Sequence, residues 1–331
     1  MRVLTLALHP TIDRVVRVAE LKPGATFDAA LLMTVPAGKG ANTARSLSCV
    51  WPKPRQIVSV GWIGRGEKDW YAERLAELNG IQAVLCARQC FTRCAYTLLE
   101  ASGRETHIKE RMPAPTRAEE QAFLAFWKET LRRHADVIAV CGSAPAGTSM
   151  RMLREVFAMA EAGAIKVIAD SSGPALEVAG AAGLAGLKGN ALEIGAWLGL
   201  GKPFDVAGKE DRCALQRAFA RRGAPRTILI TLGAQGAVLA TPDLLLSARP
   251  PVLRPNGGRD ARGTMQSATG CGDAATAGWL WAILDVGHPG DMLCRAVACG
   301  TAKLASPDPG CLDARYVKRL MAKMEIEVLS Y

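Results

Sequence analysis

The chain reads as an α/β protein: a mainly parallel sheet with helices on both faces, joined by a second, smaller β unit. Three observations predict this. From residue 116 to the end, apolar strand-like runs alternate with stretches of helical length, and repeated βα units imply a parallel sheet covered on both faces. Residues 227–233, TILITLG, are almost wholly apolar, which suits a strand buried on both sides. Residues 11–35 and 86–112 alternate with period two and hold no helical stretch, so they are expected to pair into a small sheet. The expected division is an α/β unit of residues 1–10, 36–85 and 113–331 and a small β unit of residues 11–35 and 86–112.

Residues 2–8, RVLTLAL, form a buried first strand that Pro10 ends, and Thr11-Ile12-Asp13 opens a polar turn. Short half-buried strands follow at 14–21 and 27–35, and Pro36-Ala37-Gly38-Lys39-Gly40-Ala41-Asn42 then runs into a helix. A strand at 57–64 leads to a helix at 68–79, where Asn79-Gly80 is a C-cap signal. Strands are expected at 81–85, 93–100 and 106–110, with a turn at Ser102-Gly103, before Pro113 and Pro115 break the pattern. Thr116 with Glu119 three residues on is a capping box, opening a helix over 116–134. Strands at 137–143, 166–170, 186–190 and 227–233 then alternate with helices at 149–163, 174–182, 191–198 and 213–222. Residues 237–240 and the proline-rich 249–255 lie beyond, followed by helices at about 273–284, 291–305 and 313–324.

Lys and Arg total 41 against 31 Asp and Glu, a net charge of +10. The basic residues are dispersed, with no block of five and no interleaved aromatics. A small anionic ligand in a basic cleft is therefore expected, not nucleic acid. No apolar segment reaches the ~18 residues of a membrane span. The opening apolar run ends at His9-Pro10, like a strand and unlike a signal peptide. Ten cysteines in 331 residues make a poor disulfide framework, so reduced thiols in a cytoplasm are expected. Cys86, Cys90 and Cys94 have a CxxxCxxxC spacing that matches no familiar metal site. On one strand they would share a face, as packing residues.

Chemistry concentrates in Ser267-Ala268-Thr269-Gly270-Cys271-Gly272-Asp273, ahead of the helical run AATAGWLWAIL. Gly270 and Gly272 let the backbone turn sharply, and unpaired N–H groups at a helix N-terminus form an anion site. A carboxylate beside a bound anion is out of place unless it takes a proton from a group attacking that anion. Otherwise Asp273 is an N-cap and no more. Asp13, Gly38, Ser143, Asn190, Gly233 and Gly270 each follow a predicted strand, and sites in such sheets lie beyond the carboxyl ends of the strands. A small sheet over such a pocket would be a lid.

Five landmarks now stand in order: PAGKGAN at 36–42, CGSAPAG at 141–147, Asn190 with Glu193, TLGAQGA at 231–237 and TGCGD at 269–273. Together they resemble the ordered motifs of the PfkB, or ribokinase-like, carbohydrate kinases. The resemblance spans nearly the whole chain. It implies a three-layer α/β/α sandwich with a small β lid, ATP as phosphoryl donor and Mg²⁺. THIKE at 106–110, with GKGAN, resembles the hexose-phosphate subgroup, which includes 1-phosphofructokinase and tagatose-6-phosphate kinase. Lys39 suits that subgroup, being a point charge for a second phosphate.

Carried over residue by residue, the resemblance implies Asp273 as general base and the backbone N–H groups of Gly270, Cys271 and Gly272 as the anion hole. Asp13 and Asn42 would bind sugar hydroxyls, with Gly38 and Ser143 beside them. Lys39 and Arg93 would hold the substrate phosphate, helped by Lys109 or Arg111. Thr231, Gly233 and Gly236 would line the nucleotide, and Asn190 and Glu193 would organise Mg²⁺, mainly through water. Plainer readings stand beside these: Asn190 and Glu193 as a helix cap with its N3 carboxylate, Asp13 as a turn residue, Arg93 as a solvated strand charge, Ser143 as a strand end.

The sequence departs from the family pattern at four places. Ala37 stands for Gly, Ser267 for the Asp or Asn before the glycine turn, and Cys271 for Ala or Ser. KERMPAP at 109–115 replaces an NEPGP-like run on the lid side of the sugar pocket. The expected activity is ATP-dependent phosphorylation of a phosphorylated ketohexose, most simply fructose 1-phosphate to fructose 1,6-bisphosphate. The alternatives are a tagatose-6-phosphate, other sugar or nucleoside kinase, or a non-catalytic sugar-phosphate sensor on the same scaffold. An exposed lid sheet could also pair two subunits into a homodimer.

Overall fold

The structure, a computed structural model, describes residues 1–52, 56–133, 135–163, 165–251, 267–285 and 287–331. Residue 134, the end of the predicted 116–134 helix, and the proline-rich segment from residue 252 lie outside the described residues.

The chain opens with β1 (Arg2–Ala7), β2 (Thr11–Val18) and β3 (Ala30–Ala37), then α1 (Lys39–Val50). Next come β4 (Gln56–Gly64), α2 (Lys68–Asn79), β5 (Gln82–Arg88), β6 (Cys94–Glu100) and β7 (Glu105–Lys109). The alternating portion follows: α3 (Arg117–Leu131), β8 (Val137–Gly142), α4 (Met150–Glu161), β9 (Lys166–Ser171), α5 (Pro174–Ala179), β10 (Gly186–Asn190) and α6 (Ala191–Leu198). Then come α7 (Lys209–Ala218), β11 (Ile228–Thr231), β12 (Ala237–Ala240) and β13 (Leu245–Arg249). The chain finishes with α8 (Cys271–Asp285), α9 (Pro289–Lys303), α10 (Ala314–Met321) and β14 (Glu325–Leu329).

Among the described residues, ten strands form one sheet in the order β14-β13-β12-β11-β10-β9-β8-β1-β4-β5, and four form another, β3-β2-β6-β7. The large sheet is parallel from β11 to β5 and antiparallel from β11 outward to β14. Side chains alternate across it, so one strand feeds two cores. Val3 and Ile57 join Ala41, Trp279, Leu293 and Val317 from α1, α8, α9 and α10. Leu4, Leu6 and Val58 join Phe123, Leu153, Leu176, Ile194 and Leu215 from α3 to α7. The result is the predicted three-layer α/β/α sandwich with a smaller separate sheet.

Local signals held where short-range chemistry decides. Thr116 and Glu119 close the capping box of α3, and Gly80 ends α2 with φ 62°. The differences arise from long-range pairing. Thr11–Asp13 is strand, not turn, because Ile12 N–H donates to Arg93 O at 3.0 Å and the three residues pair with β3. β5 runs past residue 85, with Cys86, Ala87 and Arg88 paired to Trp62, Ile63 and Gly64 and Arg88 stacked 4.8 Å over the Trp62 ring. The CxxxCxxxC cysteines therefore do not share a strand face: Cys86 lies on β5 against one core and Cys94 opens β6 against the other. α7 begins four residues ahead of the expected helix, at Lys209. There the Asp211 carboxylate accepts the Asp205 N–H at 2.8 Å and pairs with Lys202 at 3.0 Å.

Candidate active site

The carboxyl ends of the parallel strands, the loop into α1 and the start of α8 enclose one cavity of about 1120 Å³. Gly38 explains how the α1 loop reaches it. With φ 96° it turns β3 into α1, and a Cβ there would stand 3.0 Å from Pro10 Cα. The Pro36–Asn42 turn is thereby pressed against the residues that follow β1. Sixteen of the expected site residues line this cavity: Asp13, Gly38, Lys39, Asn42, Arg93, Lys109, Ser143, Asn190, Glu193, Thr231, Gly233, Gly236, Gly270, Cys271, Gly272 and Asp273. Arg111 is not among its lining residues.

Asp273 occupies the first turn of α8. It is not the N-cap, since Gly270 precedes the helix and accepts the Ala274 N–H at 2.9 Å. The carboxylate turns instead toward α1, where Asn42 Nδ2 donates to Oδ2 at 2.8 Å. Burial, reinforced by the nearby Asp170 carboxylate, pushes the Asp273 carboxyl up to about 6, against the pull of Lys39 and the Asn42 bond. Its pKa thus lies close to the value a general base needs near neutral pH.

The turn before it carries one adjustment. Cys271 N–H donates to Ala268 O at 3.2 Å, so that amide is engaged within the turn. The N–H groups of Gly272 and Asp273, in the first helical turn, have no intrahelical acceptor. A Cβ on Gly272 would lie 3.5 Å from the Lys188 ammonium. Gly270 is required in this turn: its φ is 86°, and a Cβ would come 2.3 Å from Pro309 O.

Beside this turn lies a charged group that sequence reasoning missed. Asp170, fully buried at the end of β9, takes Lys39 Nζ on Oδ1 at 3.1 Å and Lys188 Nζ on Oδ2 at 3.0 Å. Thr276 Oγ1 donates to the same Oδ2 at 2.6 Å. Burial alone would raise the Asp170 pKa, but the two ammonium groups outweigh it and hold the carboxyl below its ordinary range. The converse holds for Lys39: burial would lower it, and Asp170, Glu193 and Asp273 keep it above the usual lysine value. A signal was present in the sequence. Asp170 and Lys188 are charges inside strands predicted to be buried on both faces, and such charges must be paired.

Lys39 is held in the same charged network. Its ammonium pairs with Asp170 and stands 4.0 Å from Glu193 Oε1. Arg93 and Lys109 are further basic residues of the cavity. Both act through space on Asp13, whose carboxyl is raised by burial and whose Oδ1 accepts Thr11 Oγ1 at 2.7 Å. Arg93 Nη2 donates to His9 O at 3.1 Å, and Ser143 Oγ lies 3.5 Å from His9 Nδ1. His9, also missed, is lowered to about 3 by burial and by Arg93 and Arg88, so it is neutral at physiological pH.

Asn190 and Glu193 do form the plainer arrangement, a reciprocal capping box at the start of α6 with both bonds at 2.9 Å. The box uses Glu193 Oε2 and leaves Oε1 toward Lys39. Among the described residues no group of three or more His, Cys, Asp or Glu side chains is arranged to hold a metal. A divalent ion here would take one carboxylate oxygen and otherwise keep water and ligand phosphates, which suits Mg²⁺. Thr231 ends β11, and Gly233 and Gly236 bound the tight turn after it, with φ 61° and 94°.

Comparisons with known proteins agree with this arrangement. A protein 29% identical over 316 residues, 93% of this chain and 92% of its own, is the 1-phosphofructokinase of Xanthomonas campestris pv. campestris. The 1-phosphofructokinase of Rhodobacter capsulatus is 30% identical over 288 residues, 85% of this chain and 84% of its own. The crystal structure of phosphofructokinase-2 from Escherichia coli in complex with fructose-6-phosphate superposes with a TM-score of 0.82 at 20% identity, covering 97% of this chain and 98% of that one. No helix among the described residues is long and apolar enough to cross a membrane. The profile of the pfkB family carbohydrate kinases matches residues 9–314, nearly the whole fold and all sixteen cavity residues named above, and the chain is a carbohydrate kinase of that family.

Proposed function

We propose that the protein transfers the terminal phosphoryl group of ATP to fructose 1-phosphate, giving fructose 1,6-bisphosphate. The observation that carries this reading is the single cavity lined by Asp273, the α8 turn and the basic side chains Arg93 and Lys109. Two anion sites in one cleft fit a nucleotide and an acceptor that is already phosphorylated. The 1-phosphofructokinase relatives support the choice of acceptor.

In this reading Asp13 and Asn42 orient the sugar, and Arg93 and Lys109 hold its phosphate. The free hydroxyl gives its proton to Asp273 Oδ while its oxygen attacks the γ-phosphorus. The bond from that phosphorus to the β–γ bridging oxygen breaks and ADP leaves. Such a base contributes roughly 10²–10⁴-fold. The amides of Gly270, Gly272 and Asp273 stabilise the charge on the transferred group, each donor of this kind being worth about 2.7–4 kcal/mol. Lys39 and Lys188 extend that stabilisation from the other side, held in place by Asp170. Thr231, Gly233 and Gly236 line the nucleotide. Mg²⁺ bound near Glu193 and Asn190 would neutralise phosphate charge. The four-stranded sheet, made from residues 11–37 and 94–109, carries Asp13 and Lys109 and acts as the lid. Its edge strands β3 and β7 expose Leu31 and Ile108, which suits pairing with a second copy.

The test is ADP release by purified protein with ATP, Mg²⁺ and a panel of fructose 1-phosphate, fructose 6-phosphate, tagatose 6-phosphate, free sugars and nucleosides. The highest kcat/KM is expected with fructose 1-phosphate. A higher value with a 6-phosphate would move the acceptor assignment. Ligand-induced thermal shifts without ADP release from any acceptor would favour the sensor reading.

A further inference from the structure

Lys303, the last residue of α9, is 0% exposed. Its ammonium donates to two backbone carbonyls, Ser306 O at 2.7 Å and Ser267 O at 3.4 Å. Among the described residues no carboxylate stands within ion-pair distance of it. Burial lowers its pKa, and Cys271, Asp308, Glu105 and Asp273 oppose that only through space. A buried cation without a direct counter-ion is costly, and an apolar side chain of the same length would fill the space more cheaply. Packing does not account for a lysine here.

The two carbonyls explain it. Ser267 leads into the anion-binding turn: its Oγ accepts the Thr269 N–H at 3.2 Å, and Ala268 O takes the Cys271 N–H. Ser306 opens the loop that carries Pro309, whose carbonyl oxygen lies 2.3 Å from where a Cβ of Gly270 would be. Gly300, one turn earlier on α9, lies against Cys271 O, 3.2 Å from where its Cβ would sit. The ammonium therefore ties together the two segments that sandwich Gly270.

We propose that Lys303 is a positioning residue, a tethered monovalent cation that clamps these carbonyls and holds the α8 turn in its phosphoryl-binding shape. Backbone carbonyls in a ring are the usual ligands of free monovalent cations. With the lysine ammonium in that seat, turnover does not depend on a dissolved alkali ion. This rests on the kinase reading of the site, so one arm of the test is independent of turnover.

Wild-type kcat should be the same in potassium chloride and in tetramethylammonium chloride at equal ionic strength; several-fold activation by potassium would overturn the proposal. Lys303→Ala without potassium should lose about tenfold or more in kcat, less than the ~10²–10³ for deleting an anion-hole donor. Its KM for the sugar phosphate should stay within about twofold, the pattern of a transition-state effect. Potassium or ammonium should restore kcat saturably in Lys303→Ala and not in Lys303→Met, whose side chain fills the seat. A folded Lys303→Ala with wild-type kcat, or one that neither ion rescues, also overturns it. The turnover-free arm is melting temperature, which potassium should raise in Lys303→Ala and leave unchanged in wild type. No phosphotransfer by wild type would sink the kinase reading, and a potassium-dependent melting temperature would still support the seat. Should Lys303→Ala fail to fold, the wild-type salt comparison decides.

Discussion

Asp273 shows how one buried carboxylate couples rate to stability. Its pKa of about 6 against an ordinary 3.8 means that the folded state holds the proton more tightly than the unfolded chain. Stability contributed by this group is therefore present at low pH and is lost as pH rises through about 6. Asp273→Asn removes that penalty, so the variant should be more stable than wild type at pH near 7 in urea denaturation, with the difference vanishing well below the folded pKa. The same variant cannot accept a proton, and its kcat should fall by roughly 10²–10⁴ while ATP binding by calorimetry is unchanged. A wild-type rate would remove Asp273 from the reaction. The base is needed as the carboxylate, so kcat/KM of the wild type should decline as pH drops through about 6. A profile flat to pH near 5 would contradict the assignment.

At the scale of elements, the site depends on how helices begin. α8 is preceded by Gly270, which has no side chain to cap it, and of its first amides Cys271 N–H is engaged by Ala268 O. α6 starts with a full capping box, which satisfies the Asn190 and Glu193 amides. The α8 turn tolerates no side chain at Gly270. Gly270→Ala faces both φ 86° and a backbone contact of 2.3 Å to Pro309 O. It should destabilise the protein by about 1–3 kcal/mol and depress kcat more than KM, measured by urea denaturation and steady-state kinetics. A neutral Gly270→Ala would mean that the 306–312 loop does not press on the turn.

For the whole molecule, the four-stranded sheet exposes an apolar side chain on each of its edge strands. Leu31 is 60% and Ile108 53% exposed, on its two edge strands. Leu31→Glu should shift the protein from dimer to monomer in sedimentation equilibrium, because a charge on an edge strand blocks strand pairing. If wild type is already monomeric at high micromolar concentration, the sheet is a lid alone. The same sheet supplies Asp13 and Lys109 to the cavity, so loss of the dimer should raise KM for the sugar phosphate before it lowers kcat.

What the sequence determined by itself was local and periodic: the α/β class, the capping box at Thr116, the C-cap at Gly80, and the glycine turns that open α1 and α8. Those features depend on residues within a few positions of each other, which is why they are legible. Tertiary structure alone decided the rest. β14 and β13 are an antiparallel edge whose pairing joins residues some eighty apart, and Thr11–Asp13 is strand only because β3 and Arg93 meet it. Lys39 pairs with Asp170 because β9 brings that carboxylate, with Lys188 of β10 on its other oxygen, within reach of the start of α1. A charge's partner in a buried network is set by the folding of distant strands, and no spacing along the chain encodes which of several carboxylates will lie opposite.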